Sequence, residues 1–220
     1  GAIGVGWVVA FTEKDRFGGD ADFAMSMRMT FPTVLAMFNN ESNNYPPTTG
    51  TVILGDNIQG IKADGVRENI PMFQTSASQG VASAPTEVDN LVRQIPLLMQ
   101  TPDGWVASFG TEVLKALAQQ KTYIIKGSEN GIEEISVRGI PPTKLDKYGR
   151  QWISWVDTPQ TTLQEMDVEG KFVFVGVTAN GVMPQIATPV GLLEPHKIQA
   201  ALSESILLES SSYVPNWNLT

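Results

Sequence analysis

Residues Gly170-Lys171-Phe172-Val173-Phe174-Val175-Gly176-Val177-Thr178-Ala179-Asn180-Gly181 constrain the fold more than any other stretch of this chain. Four β-branched or aromatic residues in a row, without polar alternation, are the pattern of a strand buried on both faces. Such strands belong to parallel sheets covered by helices. The polar, glycine-containing segment behind the strand is where an open α/β sheet places binding groups, outside the carboxyl ends of its strands. Thr188-Pro189-Val190 and an amphipathic helix from Ile198 to Leu208 follow.

The rest of the chain repeats this texture. Ala2 to Ala10 reads as a first buried strand, followed by the polar loop Thr12 to Asp20. Asp20 is expected to cap a helix on which Phe23, Met27 and Phe31 form one stripe. Pro32 interrupts that helix, and Val34, Leu35 and Phe38 continue its spacing for about two turns. Thr51-Val52-Ile53-Leu54-Gly55 reads as a second buried strand, so strand, helix and strand form a right-handed crossover with parallel strands. Residues 58 to 88 are weakly patterned, with a short strand expected around Met72-Phe73. Leu91–Met99 and Trp105–Ala107 flank Pro102-Asp103-Gly104 as a hairpin, and Ser108 caps a helix with Phe109, Val113 and Leu117 on one face. A second antiparallel pair is expected between Ile132–Arg138 and Gln151–Val156, entered through the turn Asp146-Lys147-Tyr148-Gly149.

These elements predict a three-layer α/β domain. Its largely parallel central sheet contains Ala2–Ala10, Thr51–Gly55 and Lys171–Val177, with antiparallel hairpins added. One domain, residues 1–209, and a tail, 210–220, account for the 220 residues. No stretch approaches the roughly 20 apolar residues of a membrane span. A formal net charge of −8 repels phosphate backbones, which argues against nucleic acid as a partner. The absence of cysteine excludes disulfides, thiolate catalysis and cysteine-held zinc.

The familiar catalytic patterns are missing: no G-x-S-x-G elbow, no S-x-x-K, no H-E-x-x-H and no phosphate-binding P-loop. His196, the one histidine, opens the last helix, where an exposed or capping role is expected and not that of a triad base. Asp15, Asp20 and Asp22 depart from the calcium-loop spacing, and Glu133-Glu134 and Glu165/Asp167/Glu169 read as solvated acids, so neither a metal nor a cofactor is expected. Trp152 and Trp155 are three residues apart; one is assigned to the core and the other to an interface or pocket rim. Trp217 suits a position near a membrane. The remaining polar residues follow the carboxyl ends of the presumed neighbouring strands: Asp15, Arg16, Asp56, Asn57, Thr178 and Asn180. Of these, Asp15, Arg16, Asp56, Thr178 and Asn180 form the expected ligand-binding set. With one cation and two anions, they suit a small polar molecule better than a lipid.

The landmarks together resemble the CHASE sensory family of the second type, the cyclase/histidine-kinase-associated extracellular sensors. Gly4 to Phe11, Thr12-Glu13 and Asp15-Arg16-Phe17-Gly18-Gly19-Asp20, with Phe23-Ala24, are similar to the family's first strand, polar loop and "G-D-x-x-L-A" helix start. Val52-Ile53-Leu54-Gly55 matches its next strand. Asp89-Asn90-Leu91-Val92-Arg93-Gln94-Ile95-Pro96-Leu97-Leu98 is similar to its "D-G-x-x-R-x-x-P-L" segment, and Gly170 to Gly176 with Thr188-Pro189 to its closing run. Glu194-Pro195-His196-Lys197 departs from the usual Pro-Gly turn, and Gln199 stands where a histidine is common. The resemblance implies a non-catalytic extracytoplasmic sensory domain of a bacterial membrane receptor. Transmembrane helices would flank it outside this chain, and a cyclase or kinase would lie on the cytoplasmic side. Its partner would be a small polar ligand or an envelope protein, and a homodimer is among the expected assemblies. The family pattern begins upstream of Gly1, so an edge or apolar face near the N-terminus is expected to be uncovered or to meet another chain. The competing reading is a structural module for protein–protein contact in the cell envelope.

Overall fold

The computed structural model describes residues 1–55, 58–162, 167–179 and 182–212. Its main sheet joins β1 (Gly4–Trp7), β2 (Thr33–Asn39), β5 (Ser78–Val81) and β13 (Phe172–Val175) in the order β13-β1-β2-β5. All these pairings are parallel, and the two-residue β4 (Val66–Arg67) runs antiparallel against the end of β2. The crossover from β1 to β2 passes through α1 (Asp20–Met29), so strand, helix and neighbouring parallel strand are consecutive.

One face of this sheet is built around missing side chains. Gly4 and Gly6 of β1 point the same way, and a Cβ there would lie 2.5 Å from the Phe172 ring or 2.9 Å from the Phe109 ring. The flat surface admits Phe109, the first residue of α3 (Phe109–Leu117), which is fully buried against Val8, Val34, Ala36 and Ala82. At Gly80 of β5 a Cβ would stand 2.6 Å from the Cα of Phe109, so the helix starts directly on the strand. The opposite face carries α1 and the short α2 (Pro71–Gln74). There Ala24, Met27, Leu35, Ile70 and Phe73 form a core, and Trp7, Phe11, Phe23 and Phe73 stack edge to face. Asn69 ties this layer to the sheet: it accepts from the Phe11 amide (2.8 Å) and donates to the Ala36 carbonyl (3.1 Å) and the Gln79 side chain (2.9 Å).

The second sheet, in the order β11-β10-β9-β3, joins β3 (Gly50–Leu54), β9 (Thr122–Ser128), β10 (Gly131–Ser136) and β11 (Thr143–Lys144). Among the described residues, three antiparallel ribbons accompany the two sheets. They are β6 (Gln94–Pro96) with β12 (Arg150–Trp152), β7 (Leu98–Thr101) with β8 (Gly104–Ala107), and β14 (Ile186–Thr188) with β15 (Gly191–Leu193). Between the two sheets lie α3 and α4 (Pro195–Leu207). Seven consecutive residues of α3 are buried, and a helix buried all round is one packed on both sides. Val113 faces the main sheet, whereas Leu114 joins Tyr123, Ile125, Ile198 and Leu202 in the larger core.

A buried ion pair locks α3 to the second sheet. Glu112 and Lys115 are one helical turn apart, their side chains 3% and 9% exposed, with Oε1 and Nζ 2.8 Å apart. Tyr123 Oη donates to Glu112 Oε2 (3.0 Å) and lies 2.9 Å from the Thr111 carbonyl oxygen. Lys115 Nζ also donates to Thr49 Oγ1 and sits 4.8 Å from the centroid of the Tyr123 ring. Burial, then the Glu112 carboxylate, hold the Tyr123 phenol well above its usual pKa. Each charge thus has partners, the condition under which a buried pair is tolerated.

The α/β class and the parallel central sheet stand, with corrections in detail. Thr51–Gly55 is not a core strand: among the described residues β3 pairs only with β9, at the edge of the second sheet, and Val52, Ile53 and Leu54 are each about half exposed. Val34 to Phe38 continue no helix; they form β2, the central strand, whose first five residues are buried. Around Met72-Phe73 the chain is helical, as α2. The hairpin around Pro102 and the helix after Ser108 are as expected, but Ile132–Arg138 pairs with β9 and β11, and Gln151 pairs with Ile95. Phe172 to Val175 are half-buried, not fully enclosed, because β13 is an edge strand. Gly19, not Asp20, is the N-cap of α1; Asp20 is its first residue and its carboxylate accepts from the Asp15 amide (3.0 Å).

Candidate ligand-binding site

The parallel pairing of β1 with β13 brings the loops leaving their carboxyl ends to one side of the main sheet. Asp15 and Arg16 lie in the first loop, and Thr178, exposed, lies just beyond β13. The Asp15 carboxylate is committed to its own loop: it accepts from the Gly19 amide (2.8 Å), and hydrogen bonds from the backbone of Gly19, Phe17 and Arg16 lower its pKa. Among the described residues no hydrogen bond or ion pair joins Asp15 or Arg16 to Thr178. Asp56 and Asn180 lie outside the described residues, as do Asn57 and Trp217. The strand leading to Asp56 is β3 of the second sheet, so the three loops do not leave three neighbouring strands.

A better-formed concavity lies against α4. A cleft of about 320 Å³ is lined by Trp155, Val156, Asp157, Thr158, Gln160, Val190, Leu193, Lys197 and Ala201. Its outer wall, the chain from Ser154 to Gln160, has no strand partner and is sewn to α4 instead. The Ser154 amide donates to Ser205 Oγ (2.8 Å), Ser205 Oγ reaches back to the Ser154 carbonyl (3.2 Å), and Thr158 Oγ1 donates to Glu204 (2.8 Å). Val190 and Leu193 enter from the β14–β15 ribbon, and Lys197 and Ala201 project from successive turns of α4. The lining thus combines an indole, aliphatic carbons and a few polar groups, the make-up of a small-molecule site. Lys197 pairs with Glu194 (2.9 Å); this partner, with Gln185 adding a weaker bond, lowers the Glu194 pKa to about 2 against the effect of burial. A wider hollow of about 450 Å³ between the end of α1 and Ser76–Ser78 lies at the amino ends of β2 and β5, the end of a parallel sheet that rarely binds ligands.

His196 is neither exposed nor a cap. Its half-buried ring rests on Gly176 at the end of β13, where a Cβ would lie 2.2 Å from the imidazole. Burial lowers its pKa, so it is neutral at neutral pH. No hydroxyl or carboxylate hydrogen-bonds to it among the described residues. Gln199, fully buried, accepts from the Gly110 amide (2.8 Å) and donates to the Ala82 carbonyl (3.0 Å), joining α4 to α3 and to the chain just beyond β5. Ser203 Oγ donates to the Gly110 carbonyl (3.0 Å). Trp155 lines the cleft while packing against the larger core, and Trp152 is half-buried, so the pair does not divide into one core and one rim residue as expected; Lys197 and Ala201 carry no sequence signal that separates them from ordinary helix residues.

Among the described residues no three histidine, aspartate or glutamate side chains could hold one metal ion, and no helix is long and apolar enough to cross a membrane. No curated protein and no solved structure matches the chain. A family model described as "CHASE2 domain" matches residues 1–220, in agreement with the strand, loop and helix motifs now placed in the fold. The chain belongs to the CHASE2 family of extracellular sensory domains.

Proposed function

We propose that this chain is the stimulus-receiving, non-catalytic domain of a bacterial membrane receptor, exposed outside the cytoplasm, and that a small ligand acts at the α4 cleft. The observation that carries the reading is the construction of the cleft. Its floor is two turns of α4, and the same helix is hydrogen-bonded through Gln199 and Ser203 to α3, at the centre of both cores. A ligand that prefers one position of α4 therefore biases the arrangement of the whole domain. The mixture of Trp155, Leu193 and Val190 with Lys197, Asp157 and Thr158 suits a compact molecule with an apolar body and polar ends. In the loop after β1, the Asp15 carboxylate is already engaged by the Gly19 amide.

The test is thermal unfolding of the chain against panels of amino acids, dicarboxylates and polyamines. A ligand at 100 times its Kd adds about 2.7 kcal/mol, a shift of several degrees. Val190 is 59% exposed, so Val190→Trp blocks the cleft mouth while changing the unliganded stability by less than about 0.5 kcal/mol. The expected result is a compound class that stabilises the wild-type chain and leaves the variant unmoved. Equal stabilisation of both chains would place the ligand elsewhere, and stabilisation by none would count against a small-molecule stimulus from these classes.

A further inference from the structure

The edge strand β3 is the feature that neither the fold nor the cleft explains. Edge strands in monomeric proteins are short, charged, interrupted by proline, or covered. The other sheet edges described here follow that rule. β11 is two residues long and includes Lys144; β13 is half-buried and has His196 packed on the glycine that follows it; β5 is bridged by Ser108 at Val81 and packs near β8. Among the described residues β3 has none of these protections. It presents five residues, Gly50-Thr51-Val52-Ile53-Leu54, with no charge and no proline, and its last three side chains are 47%, 46% and 49% exposed.

The strand is also held rigidly. At its start the Thr49 amide donates to the Trp105 carbonyl (2.7 Å), and the Thr49 hydroxyl belongs to the Glu112–Lys115 network. At its end Gly55, with φ +120°, lies so close to the Gly127 carbonyl that a Cβ would overlap it. The parallel register with β9 sets Val52 and Leu54 on the face of Ile124 and Lys126, and Thr51 and Ile53 on the face of Tyr123 and Ile125. Apolar side chains are therefore exposed on both faces of a strand that, among the described residues, is paired along one edge alone.

We infer that β3 is a homodimer seam, at which a second copy of this chain adds its own β3 antiparallel across a two-fold axis through Val52. The strand is self-complementary in that arrangement. Thr51 stands opposite Ile53 of the other copy, Gly50 opposite Leu54, and Val52 opposite itself, with no like charges facing one another. The two four-stranded sheets become one of eight strands, and the free backbone groups of both edges are paired. A five-residue ribbon covers well below the roughly 800 Å² per partner of a stable complex, so the free domain pairs weakly. In the membrane receptor proposed above, on which this step rests, tethering would supply the effective concentration that completes the association. The inference is independent of the α4 cleft.

The chain contains no cysteine, which makes the test clean. Val52→Cys places two thiols opposite each other, with Cβ atoms about 5 Å apart, close enough to be oxidised to a disulfide after a small adjustment. Leu54→Cys is as exposed and on the same face, yet in this register its two copies are four residues out of step, roughly 13 Å, too far to bridge. Both variants are purified as the full 220-residue chain, shown to melt like wild type, and oxidised at the same protein concentration. The expected result is covalent dimer from Val52→Cys in about tenfold excess over Leu54→Cys, lost when Ile53→Lys is added to put a charge beside the axis. Equal cross-linking of both variants would mean random collision and overturn the seam. Cross-linking of neither, with wild type monomeric at every concentration in sedimentation, would overturn it as well and leave the edge to a different protein.

Discussion

Glu112→Ala is expected to lower the unfolding free energy by about 3–5 kcal/mol, because it leaves the Lys115 ammonium buried without its counter-charge. The Tyr123 hydroxyl would keep only the Thr111 carbonyl as acceptor, and Thr49 Oγ1 cannot compensate a full charge. For a domain whose total stability is about 5–15 kcal/mol, much of the margin disappears. Urea unfolding followed by tryptophan fluorescence measures it directly. The double replacement Glu112→Leu with Lys115→Met is the informative companion. Removing both charges together should restore most of the loss, since an apolar pair of similar volume often matches or exceeds a buried ion pair. A single-variant loss below about 1 kcal/mol would show that water reaches the pair and that it behaves as a surface bridge.

Phe109→Ala is expected to cost a similar amount, about 3–5 kcal/mol, through a cavity the surroundings cannot refill. The ring lies over Gly6, which has no side chain to move into the space, and beside Phe174 with centroids 6.1 Å apart. The backbone of α3 already touches β5 at Gly80, so the helix cannot settle closer to the sheet. Retention of the wild-type urea midpoint would mean that α3 is not the wedge between the two sheets described above.

What was legible in the sequence depended on whether a pattern had one physical meaning. The helix after Ser108 combined a capping residue with Phe109, Val113 and Leu117 at helical spacing, and two independent signals agreed. The crossover from β1 was legible as well, but its second strand was not. Thr33 to Asn39 is central and buried, so it lacks alternation, and a short apolar run reads equally as helix or strand. Val52-Ile53-Leu54 failed in the opposite sense: an apolar edge exposed to solvent has the same composition as a core strand, and only the pairing distinguishes them. The expected ligand residues rested on the assumption that β3 neighbours β1, and β3 lies in the other sheet; Asp56 and Asn180 themselves fall outside the described residues. The α4 cleft was out of reach for a different reason. Trp155, Leu193 and Lys197 come from three separate segments, and nothing local in any of them records that Ser154 is hydrogen-bonded to Ser205 fifty-one positions later.

The bond between Gly110 and Gln199 has one more consequence. The Gly110 amide, in the first turn of α3, has no helical carbonyl to meet; its proton goes instead to the side chain of Gln199 on α4. That single N–H is therefore a native gauge of where α4 sits. Its solvent exchange and its resonance frequency answer to a neighbouring helix and not to its own, so α3 can stay wound and unchanged while one of its amides records each departure of α4 from its seat.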